Sequence, residues 1–384
     1  MSAQQLHLAL LPPGAGGTGP AGLAGLDRLA RTAERGRFDF LLLGGHRPGD
    51  TAAPGPGAAG RPEVLTLLGA LAATTDRIGL AAGLGPAVHE PYELARRLAT
   101  LDHLSGGRAA WSITAGHDPA ADGNLRHGGL PTDTDPHAHA TEFLHAARTL
   151  WDSWAEDDVP ADRTGGTFVR AGAGAFTHRG THFDITGRFT TPRTPQGHPV
   201  VVRTVTSPQD GELAAAGADV AVVPHLALAE ARTLRQDLGA RLAGHGRSPD
   251  GLRVLTAVGY VLGDSPREAR ERLAAAGPGG AGVPAPAFVG TPDQVAEALT
   301  EFVRGGGSDG FLLTPHPASG SPDASDGSDG SDGSDGFNAF DAFVDRVVPL
   351  LQAAGVHRTE YAGPTLRDHL GLAPTRRPSR ETTA

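Results

Sequence analysis

The sequence predicts an α/β chain closed as a (β/α)8 TIM barrel with insertions, and three observations carry that prediction. Short apolar runs rich in Val, Leu, Ile or Phe alternate with longer segments of helical period, the pattern of βα repeats around a parallel sheet. Eight such pairs can be counted, which favours a closed barrel over an open sheet. The length, 384 residues, suits one barrel domain carrying insertions.

The predicted strands are Leu6–Leu11, Phe38–Leu43, Ile78–Ala82, Ala109–Thr114, Val200–Val205, Asp219–Val223, Arg253–Val261 and Gly310–Thr314. Each is short and apolar, as a strand covered on both faces should be. Helical period places helices at Leu26–Arg35, Glu63–Thr75, Tyr92–Leu104, Ala140–Trp154, Gly211–Ala216, Leu228–Leu242 and Thr291–Val303, with Thr291 as cap and Pro292 in the first turn. Two segments break the repeat. Residues 157–199 are polar and Gly-rich and contain THRGTHFDITGRF, which alternates like a hairpin and is expected in the loop after the fourth strand. Residues 325–336 are four tandem Ser-Asp-Gly triplets within a low-complexity stretch, 318–336, expected to be a solvated loop. The domain is expected to span residues 1–372, with a disordered tail at 373–384.

Composition removes whole classes of chemistry. The chain has no cysteine, which excludes disulfides, thiolate metal sites and a cysteine nucleophile. All 33 basic residues are arginine, so a Schiff-base lysine, a P-loop lysine and a lysine base are excluded as well. Glycine (55) and proline (31) reach about 22% of the chain, below the roughly 25–30% of low-complexity proteins. A formal charge of -10 argues against a nucleic-acid or anionic-membrane partner. No apolar run approaches a membrane span, and the start MSAQQLHLALLPPG has no basic flank, so a cytoplasmic address is expected.

Chemistry-bearing residues cluster in two places. His117, His127, His137, His139 and His145 crowd one region together with Asp118, Asp122, Asp133 and Asp135. DTDPHAH has metal-ligand residue types, but no Glu-x-x-His supports it and the His-x-His is expected ahead of a helix, so solvated loop histidines or ligand contacts are the competing readings. No metal is expected there, nor calcium on the Ser-Asp-Gly triplets, whose period of three does not match an EF-hand. The second place is PVVVRTVTSPQDGELAAAGADVAVV, running from strand to turn to helix with Thr206 and Ser207 where the helix begins. Backbone N–H groups and the helix dipole attract a phosphate at such a turn, while an ordinary Ser/Thr cap explains the same residues.

Five blocks in order resemble one family: TAERGRFDFLLL (32–43), LDHLSGGRAAWSI (101–113), PQGHPVVVRTVTSP (195–208), FVGTPDQVAEAL (288–299) and FVDRVVPLLQAAGVHRTEYAGPTLRDHLGL (343–372). It is the bacterial-luciferase-like, flavin-dependent monooxygenases, in the branch of nitrilotriacetate monooxygenase, dibenzothiophene-sulfone monooxygenase and a pristinamycin synthase subunit. The resemblance implies a luciferase-like barrel, usually dimeric. It also implies that reduced FMN, supplied by a separate NAD(P)H-dependent flavin reductase, reacts with O2 to give a peroxyflavin that oxidises a small organic substrate.

Carried over residue by residue, the family's phosphate-binding serine pair falls on Thr206 and Ser207, with Val205 where a glycine is usual. Its histidine and tyrosine, four apart, fall on Asp133 and His137, and its asparagine after the tryptophan of the fourth strand on Ser112. The aspartate expected after the second strand falls on Gly45, and the Thr/Ser-rich end of the third strand becomes AAGLGPAVHEPY (81–92). The aromatic and histidine residues after the first strand are replaced by PPGAGGTGPAGLAG (12–25), and the long insertion after the seventh strand shrinks to PGGAGVPAPAF (278–288). The cofactor-binding residues expected are Ser112, Asp133, His137, Thr206 and Ser207. No catalytic residue is assigned, and His46 qualifies only because imidazole titrates near neutrality. The replaced positions leave three alternatives beside the FMN monooxygenase: a non-catalytic homologue or scaffold subunit, a deazaflavin-dependent oxidoreductase, and, against the resemblance, a metal-dependent hydrolase using Asp133, His137 and His139.

Overall fold

The computed structural model describes residues 5–12, 22–44, 62–116, 130–155, 157–276, 286–316 and 334–375. Strands β1 (His7–Leu10), β2 (Phe40–Gly44), β3 (Gly79–Leu84) and β4 (Ala109–Ile113) run in order around a parallel barrel. Past a hairpin of β5 (Ala175–Arg179) and β6 (Asp184–Arg188), the barrel continues through β7 (Val200–Thr204), β8 (Val220–Pro224) and β9 (Arg253–Leu262). Beyond β10 (Pro286–Gly290), β11 (Gly310–Pro315) closes the ring between β9 and β1, with His7 opposite Gly310. All eight predicted strands are present.

β10 was not among them. It pairs with the last third of the ten-residue β9, Phe288 opposite Tyr260 and Gly290 opposite Leu262, and stands outside the closed ring. A proline at its first position is tolerated because an edge strand need not donate on both sides. The same proline, in a Gly/Pro-rich run, hides the strand in the sequence.

The helices are α1 (Gly22–Arg35), α2 (Val64–Ala72), α3 (Pro91–Leu104), α4 (Pro136–Trp151), α5 (Pro208–Gly217), α6 (Leu228–Gly244), α7 (Pro266–Ala276), α8 (Pro292–Arg304), α9 (Ser334–Arg346), α10 (Val348–Ala353) and α11 (Leu366–His369). α5 begins three residues earlier than predicted, because Ser207 caps it and Pro208 occupies its first position. Thr291 caps α8 reciprocally with Gln294. α7 was not among the predicted helices; its apolar residues are alanines and a single leucine, and α9 starts at the last Ser-Asp-Gly triplet, so that triplet is helix rather than loop. The remaining triplets, to residue 333, lie outside the described residues.

Two cores result. The outer one fills the space between strands and helices, where Trp111 of β4 meets Phe143 of α4 at 5.7 Å between ring centroids. The inner one fills the barrel with alternate strand residues, among them Phe40, Leu42, Val202, Val222, Leu255 and Leu312.

The N-terminal mouth of the barrel is plugged from residues 356–372. Leu366, Leu370 and Leu372 join the inner core. A Cβ at Gly79 would stand 2.8 Å from the Asp39 carbonyl oxygen and 2.7 Å from Leu366 Cδ1, and the fixed backbone oxygen is why this position is glycine. Arg358, in the RTEY phrase, pairs with Asp39, which also accepts from the backbone N–H of Leu8 at 2.9 Å. Tyr361 donates to the carbonyl of Phe38 at 2.8 Å and packs against His369 with tilted rings, 4.5 Å between centroids. The family-like C-terminal phrase is thus a structural closure.

The hairpin corrects a placement: it follows α4, not β4. It runs back along that helix, and at its tip the Glu142 carboxylate accepts from the N–H groups of Thr181 (2.9 Å), His182 (3.0 Å) and Phe183 (2.8 Å). The tail is also tied further than expected, Thr375 donating to the carbonyl of Gln196 at 3.2 Å. Residues 376–384 lie outside the described residues. No helix among the described residues is long and apolar enough to cross a membrane.

Candidate functional site at the C-terminal ends of two neighbouring strands

β4 and β7 lie side by side with Ser112 opposite Val202. Ala110 belongs to the inner core and Trp111 to the outer one, so alternation turns Ser112 inward, where it is buried. The same alternation brings Thr204 of β7 inward above Val202 and Thr314 of β11 inward above Leu312. The aliphatic barrel core is therefore topped by hydroxyl groups at its C-terminal end. The Thr314 hydroxyl is buried without a hydrogen-bond partner among the described residues. A buried unpaired hydroxyl costs stability, so it is an available contact for a bound molecule.

Arg203, the next residue on β7, points the other way and is 4% exposed. Its Nη1 donates to the carbonyl of Ile113 at 2.8 Å, bridging the ends of β4 and β7, and its Nη2 pairs with the Asp210 carboxylate. Asp210 lies in the first turn of α5, where the helix dipole also favours a negative charge. Its Oδ2 accepts from the Thr206 N–H (3.0 Å) and the Thr206 hydroxyl (2.9 Å). His137 Nε2 lies 3.1 Å from Oδ1. The backbone N–H of Asp210 in turn donates to Ser207 Oγ at 3.2 Å. Burial opposes ionisation of Asp210, but Arg203 and the Thr206 and Ser207 hydrogen bonds outweigh it and hold the carboxyl well below the usual range.

Of the five sequence-predicted residues, Thr206, Ser207 and His137 meet around Asp210, and Ser112 lies one strand position away, beside Val202. Asp133 is exposed in the turn before α4 and joins none of these contacts among the described residues. His137 and His139 lie within the first turn of α4, not ahead of it, because Asp135 caps the helix and Pro136 opens it. His139 is not a solvated loop residue: its ring packs at 4.9 Å from Phe183 and 5.4 Å from His182, and burial lowers its pKa. Among the described residues no three His, Asp or Glu side chains converge on a metal position. Gly45, His46, His117, His127, Asp118 and Asp122 lie outside the described residues.

Sequence reading missed Arg203 and Asp210. The signal was present: an arginine in an otherwise apolar strand, VVVRT, needs an anion once buried, and the acidic residue nearest in sequence is Asp210 in the following helix turn.

The family model of luciferase-like monooxygenase matches residues 5–281. Dibenzothiophene-sulfone monooxygenase of Rhodococcus erythropolis is 30% identical over an alignment covering 90% of this chain and 89% of that protein. Nitrilotriacetate monooxygenase component A of Aminobacter aminovorans is 30% identical with the same coverage. Among solved structures, a riboflavin lyase with modified FMN and riboflavin superposes with a TM-score of 0.80, at 22% identity and 96% coverage of each chain. Long-chain alkane monooxygenase superposes with a TM-score of 0.81, at 23% identity, covering 96% of this chain and 95% of that one. Matched along most of its length, the chain belongs to the luciferase-like monooxygenase family, whose members use flavin.

Proposed function

We propose that the protein is the oxygenase of a two-component system that oxidises a small organic substrate with O2 and reduced FMN delivered by a separate NAD(P)H-dependent flavin reductase. The same reading expects residues 1–372 to act as one barrel domain, a homodimer, and a cytoplasmic address. The observation that carries it is that the C-terminal ends of β4 and β7, the end of a barrel at which sites are built, bear both the inward Ser112 and the group of His137, Thr206 and Ser207 around Asp210. Reduced flavin, when bound, supplies the electrons with which O2 is activated. The chain's own part is to hold the flavin and substrate over the hydroxyl layer of Ser112, Thr204 and Thr314 and to keep water away.

The ring end and the phosphate end of FMN fare differently. The inward hydroxyls suit the polar edge of a flavin ring. The phosphate end does not fit the turn as the structure holds it, because Asp210 already takes the Thr206 N–H and hydroxyl, His137 and Arg203. A second anion beside that carboxylate meets like charge.

Anaerobic titration with flavin, oxidised and then reduced, followed by absorbance and fluorescence, tests the reading. Saturable binding that Ser112→Val weakens supports it, and reductase-coupled O2 consumption on candidate substrates follows. A folded protein that binds neither redox form removes it in favour of a non-catalytic homologue.

A further inference from the structure

We propose that Asp210 fills the anion subsite of the flavin site from within the chain, so that this protein draws no affinity from a cofactor phosphate and accepts riboflavin as readily as FMN. The inference rests on the flavin reading above and names the chemical class of flavin that the site takes: one whose side chain need not end in a phosphomonoester.

Four donors converge on one carboxylate. One is the Arg203 guanidinium, one is His137 Nε2, and two belong to Thr206, its N–H and its hydroxyl. This is the donor set a phosphate needs: a guanidinium, an imidazole, and an N–H with a hydroxyl at a helix N-terminus. Carboxylate and phosphate oxygens accept from the same groups and carry the same sign of charge, so they compete for the position.

Asp210 is placed to win that competition. Its backbone is pinned in the first turn of α5, its own N–H on Ser207 Oγ (3.2 Å) and the N–H of Gly211 on the Ser207 carbonyl (3.1 Å). Its carboxylate is therefore present at fixed, effectively high concentration. Arg203 is almost wholly buried, and its Nε is a buried donor with no partner among the described residues. If Asp210 swings away, Arg203 keeps an uncompensated charge until another anion arrives. A phosphate entering here exchanges one anion for another on the same donors and gains little. Removing the carboxylate leaves those donors aimed at an open position, and the variant acquires the preference that the natural chain lacks.

The test compares dissociation constants for FMN and riboflavin, measured by fluorescence quenching on the full chain and on Asp210→Ala, with Asp210→Asn as the isosteric variant that keeps an acceptor for Thr206 while removing the charge. The natural chain is expected to hold the two flavins within about threefold of each other, and Asp210→Ala to prefer FMN by about tenfold or more, one charge-assisted contact's worth of affinity. Inorganic phosphate is expected to raise the melting temperature of the variant and not of the natural chain. If the alanine variant does not fold, the ratio is read on Asp210→Asn, which must move in the same direction. A natural chain that already prefers FMN about tenfold, or a variant whose ratio equals that of the natural chain, overturns the proposal while leaving flavin binding intact. No binding of either flavin by any folded form overturns it together with the flavin reading.

Discussion

Arg367 and Asp219, 148 positions apart in the chain, meet in a two-pronged ion pair, with Nη1 3.1 Å from Oδ1 and Nη2 3.1 Å from Oδ2. Both residues are buried, and Asp219 also accepts from the N–H of Val201 at 2.9 Å. The pair fastens α11 across the N-terminal mouth of the barrel to the residue that precedes β8. Breaking it is the most direct assault on the plug.

Arg367→Met leaves the Asp219 carboxylate buried without its cation. The expected loss is about 3–5 kcal/mol, the usual cost of orphaning one member of a buried pair. Urea denaturation at neutral pH reads it. A midpoint indistinguishable from that of the natural chain contradicts the role given to the plug.

His369 sets a pH window. Burial pushes its imidazole down to about 4, with Arg358 adding to the effect, so it is neutral in the fold at pH 6. In the unfolded chain it titrates near 6.5. The unfolded state therefore takes up the proton first as pH falls. Stability from this group is full above about 6.5 and is lost between 6.5 and 4, by roughly 3 kcal/mol. His369→Gln is expected to flatten the dependence of the urea midpoint on pH across that interval.

Asp39 governs the range below. Burial opposes its ionisation, but Arg358 and His7 outweigh burial and hold the carboxyl far below the usual value of 3.8. A carboxylate depressed in the fold contributes in full above its unfolded value, and the contribution disappears as pH falls below about 4. Asp39→Asn is expected to destabilise the protein at pH 7 by about 3–5 kcal/mol, since the buried Arg358 loses its counter-charge, and to weaken the acid slope. Denaturation curves at pH 7 and pH 3.5 on both proteins check the two halves of the claim.

Glu142 holds the hairpin tip by three backbone N–H groups and lies 3.3 Å from His178 Nε2. Glu142→Ala is expected to cost about 2 kcal/mol, the range for hydrogen bonds to a charged acceptor. Amide exchange should rise in residues 175–188 and remain slow in the barrel strands. Uniform acceleration through both regions would show that the hairpin is not an independently opening unit.

The barrel was legible because buried parallel strands write themselves as short apolar runs, and all eight lie where those runs do. What escaped has physical reasons. β10 carries a proline at its start and pairs on one side only, so it lacks the composition of an interior strand. α7 has alanines and a single leucine for its apolar residues, a weaker mark than the leucines of its neighbours. At the site, Thr206, Ser207 and His137 could be placed by resemblance and by the strand-to-helix turn, but periodicity is blind to which side chain answers a buried charge. Arg203 and Asp210 are defined by each other, across a turn whose geometry no spacing rule encodes. Asp133 shows the converse: its spacing to His137 is retained, yet a turn before the helix cap leaves it in solvent.

The closure between β1 and β11 has a consequence for how the chain is made. Leu8 lies opposite Phe311, and the N–H of Leu6 is answered by the carbonyl of Val356 at 2.7 Å. During vectorial synthesis the first strand must therefore wait for roughly three hundred further residues before its second neighbour exists, and longer for the plug. Until then β1 and the growing sheet present unpaired apolar edges of the kind that chaperones bind. The slow step of maturation is expected to be ring closure, and the half-made barrel is the form of this protein most exposed to aggregation.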